Sequence, residues 1–320
     1  MTTPRDNRIK AMQFQSPESI PISIWLLPAA WMTHREAAHE IALRHPDLFG
    51  PPRDAATVDF DAAGGTYAEG EYVDAWGCGW KNIARGCDAQ VVAHPLPERA
   101  MVNAFAPPSP GDGIPHGFLF LRLTFLRGYE EMMIDFAEEP PELQRLIDII
   151  SAYNLSELER MENLSEIHYF GDDLGAQTAL PISPATWRKY LKPCYKKLYD
   201  LCHRKGSYVF MHTDGHILPI IGDLIDCGVN VINPQIRANG LAGLIAECRG
   251  KVCVSLDLDR QMFPFCTPAD IDAHVREVTE GLGSPQGGLW LQAEVGPDVP
   301  LENVEAICRA LERYRYYFSG

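Results

Sequence analysis

The chain has 320 residues, of which 46% are hydrophobic and 22% charged, and its formal net charge is −15. That is enough apolar material for one large core, in a composition ordinary for a globular protein. The acidic balance excludes nucleic acid as a partner class, because phosphate contacts need a surplus of lysine and arginine on one face and no window forms a basic stripe.

In chain order, Ile22–Leu27 has the apolar run of a first strand, and His34–Arg44 reads as a helix that stops before Pro46. Tyr67–Trp80 and Ala89–Ala93 form a β-rich insertion, with Gly70, Gly77 and Gly79 at its bends. Met132–Met161 reads as two helical stretches split near Glu139–Pro141. From there the chain alternates regularly. Strand-like segments at Ile167–Phe170, Tyr208–Met211, Val229–Ile232, Val252–Leu256 and Leu289–Leu291 are separated by helical spacing. The helices expected are Pro184–Cys202, Ile217–Cys227, Leu241–Cys248, Pro268–Leu282 and Pro300–Tyr317. Ser183–Pro184 and Thr267–Pro268 carry an N-cap residue followed by proline. Gly206, Gly228 and Gly250 stand where a helix end calls for a left-handed residue.

Short strands alternating with longer helices imply parallel pairing through right-handed crossovers. An open doubly wound sheet and a closed (β/α)8 barrel both satisfy that rule. What separates them is the polar cluster after every strand: Asp172–Asp173, His212–Asp214, Asn233–Gln235, Asp257–Asp259 and Glu294. Strand ends converge on one mouth in a barrel, and no GxGxxG or P-loop points to a nucleotide-binding sheet. The expectation is one domain over residues 1–320, a (β/α)8 TIM barrel with an N-terminal β-rich insertion.

No apolar run approaches the roughly 20 residues of a membrane span, and MTTPRDNRIKAMQF lacks a signal-peptide core, so a cytoplasmic protein is expected. The nine cysteines include no CxxC pair and are odd in number. That pattern suits reduced thiols better than disulfides or a thiolate zinc knuckle.

Alternate residues of an extended segment point the same way, so His212 and Asp214 in MHTDGH can face one centre. Glu294 at the last strand end is the candidate third ligand. One imidazole and two carboxylates suit zinc or another divalent metal, and an open position would polarise an oxygen atom. The alternative is a polar turn, with an Asx-turn at Asp214–Gly215 and a paired Glu294. Asp172 and Asp173 are adjacent, so one enters the mouth as acid, base or substrate anchor while the other caps or pairs outside. Asn233 and Gln235 can bind substrate or orient His212. Asp257 offers either a substrate contact or, with Asp259 and Arg260, an ion pair. Trp76 and Trp80 can wall a flat substrate or pack the β insertion. His216 fits the first turn of the next helix and can serve as an alternative ligand.

Taken together, GDDLGAQTALPISPATWRKYLKPCYKKLYD, MHTDGHILPIIGDLIDCGVNVINPQ, SLDLDRQMFPFCTPADI and LQAEVGPDVPLENVEAI resemble the uroporphyrinogen decarboxylase superfamily. This superfamily includes zinc-dependent, corrinoid-linked methyltransferases. The resemblance covers about residues 165–310, with weaker similarity around Asp74–Lys81, and it implies the same barrel. True decarboxylases carry an arginine-rich R-Q-A-G-R motif, whereas IWLLPAAWMTHREAAHE here holds only Arg35. Thiol-methylating members carry His-x-Cys and a late Cys where this chain is similar at His212, Asp214 and Glu294. Two carboxylates in place of two thiolates favour a metal that binds oxygen rather than a substrate thiol. The resemblance therefore implies a methyltransferase acting between a small oxygen-bearing substrate, of methyl ether or phenol type, and a corrinoid on a separate protein. The alternatives are a decarboxylase and a barrel that binds a ligand or partner without catalysis.

Overall fold

The structure is a computed structural model and describes residues 3–51, 53–111 and 113–319. Its strands are β1 (Ile22–Leu26), β2 (Gly70–Val73), β3 (Gly79–Asn82), β4 (Gln90–Ala93), β5 (Ile167–Gly171), β6 (Tyr208–Thr213), β7 (Val231–Pro234), β8 (Cys253–Asp257) and β9 (Leu289–Val295). The chain divides into two compact units. The first comprises the chain up to Gly70, Asn82–Ala89, and Gln235 to the C-terminal end; the second comprises Glu71–Lys81 and Gln90–Pro234.

In the first unit β1, β9 and β8 lie side by side in that order and parallel, with Trp25 level with Glu294 and Asp257 level with Gln292. The helix Leu301–Tyr314 packs on β1, β9 and the helix Pro268–Leu282. Ile271, Val275, Leu291, Val295 and Ile307 are fully buried there. The Thr267 hydroxyl accepts the Asp270 amide and the Asp270 carboxylate accepts the Thr267 amide, a reciprocal capping box that starts the helix where the Thr-Pro signal places it.

In the second unit β5, β6 and β7 are likewise parallel and neighbouring, with Gly171 level with His212 and His212 level with Asn233. An aromatic core of Phe118, Phe170, Trp187, Tyr195 and Tyr199 fills the helix side of these strands. The β2–β3–β4 sheet is the expected β insertion. Asp74 organises it, accepting Arg122 Nη1 at 2.9 Å, Trp80 Nε1 at 3.0 Å and the Trp76 and Cys78 amides at 3.0 and 2.9 Å.

Six parallel strands, three in each unit, are present among the described residues. The helix expected over Pro184–Cys202 breaks at Leu191 into Pro184–Tyr190 and Lys192–Arg204. The cause is Pro193, which has no amide hydrogen for the preceding turn and crowds its carbonyl. The helix expected from His34 begins at Pro28 and carries a kink at Arg35, where φ is 45°. The helix Phe120–Arg127 was not expected. Strands β6 and β9 run on through Thr213 and Val295, past the expected ends at Met211 and Leu291, so His212 and Glu294 are strand residues. All nine cysteines are free thiols. Among the described residues no helix is long and apolar enough to cross a membrane.

Asp172 joins β5 to the helix Phe120–Arg127. Its fully buried carboxylate accepts the amides of Leu119 at 3.2 Å, Phe120 at 2.5 Å and Leu121 at 2.8 Å, and the Tyr195 hydroxyl at 2.5 Å. The first-turn amides have no partner within their own helix, and an anion there also meets the positive end of the helix dipole. Burial nevertheless dominates and pushes the Asp172 carboxyl up to about 6, against the pull of Tyr195 and of the Leu121 and Phe120 amides. A carboxyl raised in the folded state gives stability that is present below about pH 4 and lost as the pH rises through about 6. The rise of two units corresponds to about 3 kcal/mol. Denaturant unfolding at pH 4, 5, 6 and 7 is expected to show the parent losing about 3 kcal/mol more than Asp172→Asn across that range. Equal pH dependence in the two proteins would contradict this assignment. Arg122→Met is expected to cost about 3–5 kcal/mol at pH 7, because it leaves the half-buried Asp74 without its cation.

Candidate metal centre

Two adjacent strand ends of the second unit build the site. At the end of β6, His212 and Asp214 alternate with the buried Thr213 and so face the same side. At the end of β5, the inward lock on Asp172 turns the next residue, Asp173, to that same side. The two ends are stitched by the Asp172 amide on the His212 carbonyl at 3.1 Å, the Gly175 amide on the Asp214 carbonyl at 3.1 Å and the His216 amide on the Ala176 carbonyl at 2.7 Å. Gly175 and Gly215 make this approach possible. A Cβ on either would collide with the backbone of the opposite segment, and Gly215 also has φ +83°.

One ligand atom each from Asp173, His212 and Asp214 lies within 4.8 Å of the others, so the three can hold one metal ion. The imidazole Nε2 of His212 is 3.4 Å from Asp214 Oδ1 and 3.8 Å from Asp173 Oδ1. Its Nδ1 is 2.6 Å from Asn233 Oδ1. An amide oxygen only accepts, so Nδ1 carries hydrogen and Nε2 is the atom turned to the two carboxylates. Three acceptor atoms aimed at one point are satisfied by a cation between them or by a proton on Nε2. A hard-to-borderline set of one nitrogen and two oxygens fits a divalent ion.

The electrostatics favour positive charge at this point. Burial alone would hold the His212 ring neutral. The hydrogen bond and charge of Asp214, the Asn233 bond and the charge of Asp173 together outweigh it and raise the ring to about 9. Burial likewise raises Asp173, but the His116 hydrogen bond and the charges of His116 and His212 hold its carboxyl below the usual range. The Asp214 amide also donates to Asp173 Oδ1 at 3.0 Å.

His116 is a member of the cluster that the sequence did not single out. Its Nε2 lies 3.4 Å from Asp173 Oδ2 and its ring centre 5.6 Å from that of His212. The Asp173 hydrogen bond, opposed by burial, raises its pKa. The Gly117 amide on the Gly171 carbonyl at 2.7 Å fixes the backbone beside it, and a Cβ at Gly171 would occupy the ring's place. PHG next to the helix Phe120–Arg127 was the available signal, but it lies in an irregular stretch more than fifty residues before its partners.

The other expected residues have the following surroundings. Trp76 is buried, edge-on to Tyr153 with ring centres 4.7 Å apart and under the Arg122 guanidinium at 5.2 Å. Trp80 is bonded to Asp74 and stacks on Tyr72 at 5.9 Å. Glu294 is in the first unit, and its carboxylate accepts Arg260 Nη1. Asp259 pairs with Arg237 at 2.8 Å. Gln235 and Asp257, also in the first unit, meet as an isolated parallel bridge. The His216 amide helps tie the two loops together.

No curated protein matches the sequence significantly. Among solved structures, a methyltransferase from Methanosarcina mazei is similar over 98% of this chain and 99% of its own, with a TM-score of 0.66 and 18% identity, a likeness of fold. The sequence model of uroporphyrinogen decarboxylase (URO-D) matches residues 122–314, more than half of the chain. That stretch contains β5 to β9 and all three residues of the metal cluster, and the chain belongs to the uroporphyrinogen decarboxylase family.

Proposed function

We propose that the protein is a cytoplasmic, metal-dependent methyltransferase on a (β/α)8 barrel. It moves a methyl group between a small oxygen-bearing substrate, of methyl ether or phenol type, and a corrinoid carried by a separate protein. The observation that carries this reading is the convergence of Asp173, His212 and Asp214 at one point. Family membership and the fold shared with a methyltransferase support the reaction class. The ligand chemistry supports the substrate class. Carboxylate oxygens and an imidazole leave a bound ion hard, and a hard ion prefers an oxygen atom to a thiol.

Zinc or another divalent ion held by these three residues would supply a Lewis acid toward the substrate oxygen. The rest follows from the side chains. Asn233 fixes the His212 ring so that Nε2, not Nδ1, is the ligand atom. The Asp214 amide and His116 hold Asp173 by its two oxygens, which limits its rotation. His116 stands half exposed beside Asp173, where it can hand a proton to an oxygen that has lost its methyl group. The metal proposal is confined to these three ligands; Glu294 has Arg260 as its partner and is left outside it.

Protein purified without chelator is expected to contain close to one equivalent of divalent metal, and Asp173→Asn, His212→Ala and Asp214→Asn are each expected to lose it. Because a proton on His212 competes with the ion, metal affinity is expected to rise by about tenfold per pH unit between pH 6.5 and 8.5. Metal-free wild type, or variants that retain the metal, would overturn the reading. With metal bound, transfer of methyl from an aryl methyl ether to a cobalt(I) corrinoid protein is the activity to assay. Release of carbon dioxide from a carboxylated substrate in place of methyl transfer would favour decarboxylation.

A further inference from the structure

We infer that Tyr169 is the specificity-determining residue of the site and that it receives the body of the substrate as a flat aromatic ring. This deepens the reading above and rests on it for where the substrate oxygen goes.

Tyr169 lies in the middle of β5, level with Phe210 on β6 and two residues before Gly171. Side chains of alternate strand residues share a face. Tyr169, Gly171 and Asp173 therefore line one side of the segment, as Phe210, His212 and Asp214 do on β6. Two residues of parallel strand advance about 6.6 Å, so the Tyr169–Phe210 pair is a floor one pleat below the level of His212.

The exposure of that floor is what sets it apart. Strands of a parallel sheet are ordinarily covered on both faces. Phe170, on the opposite face of β5, is 2% exposed and packs on Phe118 and Tyr199. Phe210 is 6% exposed, yet Tyr169 is 53% exposed. Phe210 supports one side of the tyrosine ring, with centres 4.6 Å apart at 38°. The open part of the ring is a large aromatic surface on the face that carries the metal cluster. Over Gly171, between floor and cluster on the β5 side, stands the His116 ring, beside His212. A ring laid on Tyr169 with an oxygen substituent pointing along the strand passes the half-exposed His116 ring on its way to Asp173, His212 and Asp214. A saturated ring fills the same volume without the offset or edge-on contact that adds to burial between aromatic rings.

The test is calorimetric titration of phenol and of cyclohexanol into metal-free and zinc-loaded protein, wild type and variants. Wild type is expected to bind phenol about 3- to 10-fold more tightly than cyclohexanol. Tyr169→Phe is expected to keep that preference within about twofold. Tyr169→Leu and Tyr169→Ala are expected to lose the preference, with phenol weakened about tenfold in Tyr169→Ala, while binding as much zinc as wild type. No preference for phenol in wild type, or an unchanged preference in Tyr169→Leu, overturns the assignment. Zinc bound normally together with either of those results removes Tyr169 and leaves the metal reading standing. A Tyr169-dependent preference for phenol in protein that takes up no zinc removes the metal reading and leaves Tyr169.

Discussion

The buried carboxylate of Asp172 is the constraint on which the site depends. It receives three amides from the start of the helix Phe120–Arg127 and the hydroxyl of Tyr195, so the end of β5 cannot rotate without leaving four donors and a buried charge unpaired. With Asp172 locked toward the helices, the next side chain must face the other way. Asp173 becomes a site residue for that reason. The same segment carries the amide that binds the His212 carbonyl and the Gly171 carbonyl that takes the Gly117 amide beside His116. One buried anion thus places Asp173, His116 and the His212 backbone together.

The site that results is acidic, and it sets what can enter. Two carboxylates around one imidazole raise the His212 ring to about 9, so without an ion the cluster holds a proton. A divalent cation replaces that proton at no cost in new like-charge repulsion, which is why the geometry reads as a binding site instead of a salt-bridged strand end. Asp74–Arg122 and Asp172–Tyr195 contrast with it. Their charges are met by donors already present, and their role is to hold the β insertion and the helix in place.

Much of this was legible in the sequence, and the limits have physical causes. The strand–helix alternation after Ile167 was visible because buried parallel strands are apolar runs and their helices carry proline and threonine signals at their starts. His212 and Asp214 were visible because they stand two residues apart at the end of β6, on one side of an extended segment. The choice between Asp172 and Asp173 was not, because it is made by the helix Phe120–Arg127, whose sequence FLRLTFLR carries no cap of its own. Its cap is Asp172 itself, some fifty residues later. His116 was invisible for the same reason. Its place comes from Gly171 on β5 and not from any periodicity around it. Trp76 and Trp80 illustrate the converse: aromatic residues near glycines suggest a wall, but their faces are taken by Tyr153, Arg122 and Tyr72.

The central claim is that Asp173, His212 and Asp214 are ligands of one ion. Diffraction from crystals grown with zinc, recorded on either side of the zinc absorption edge, tests it most directly. The account predicts one anomalous peak about 2.0–2.2 Å from His212 Nε2 and from a carboxylate oxygen of each aspartate. A peak elsewhere in the molecule, or none between these three side chains, would contradict it.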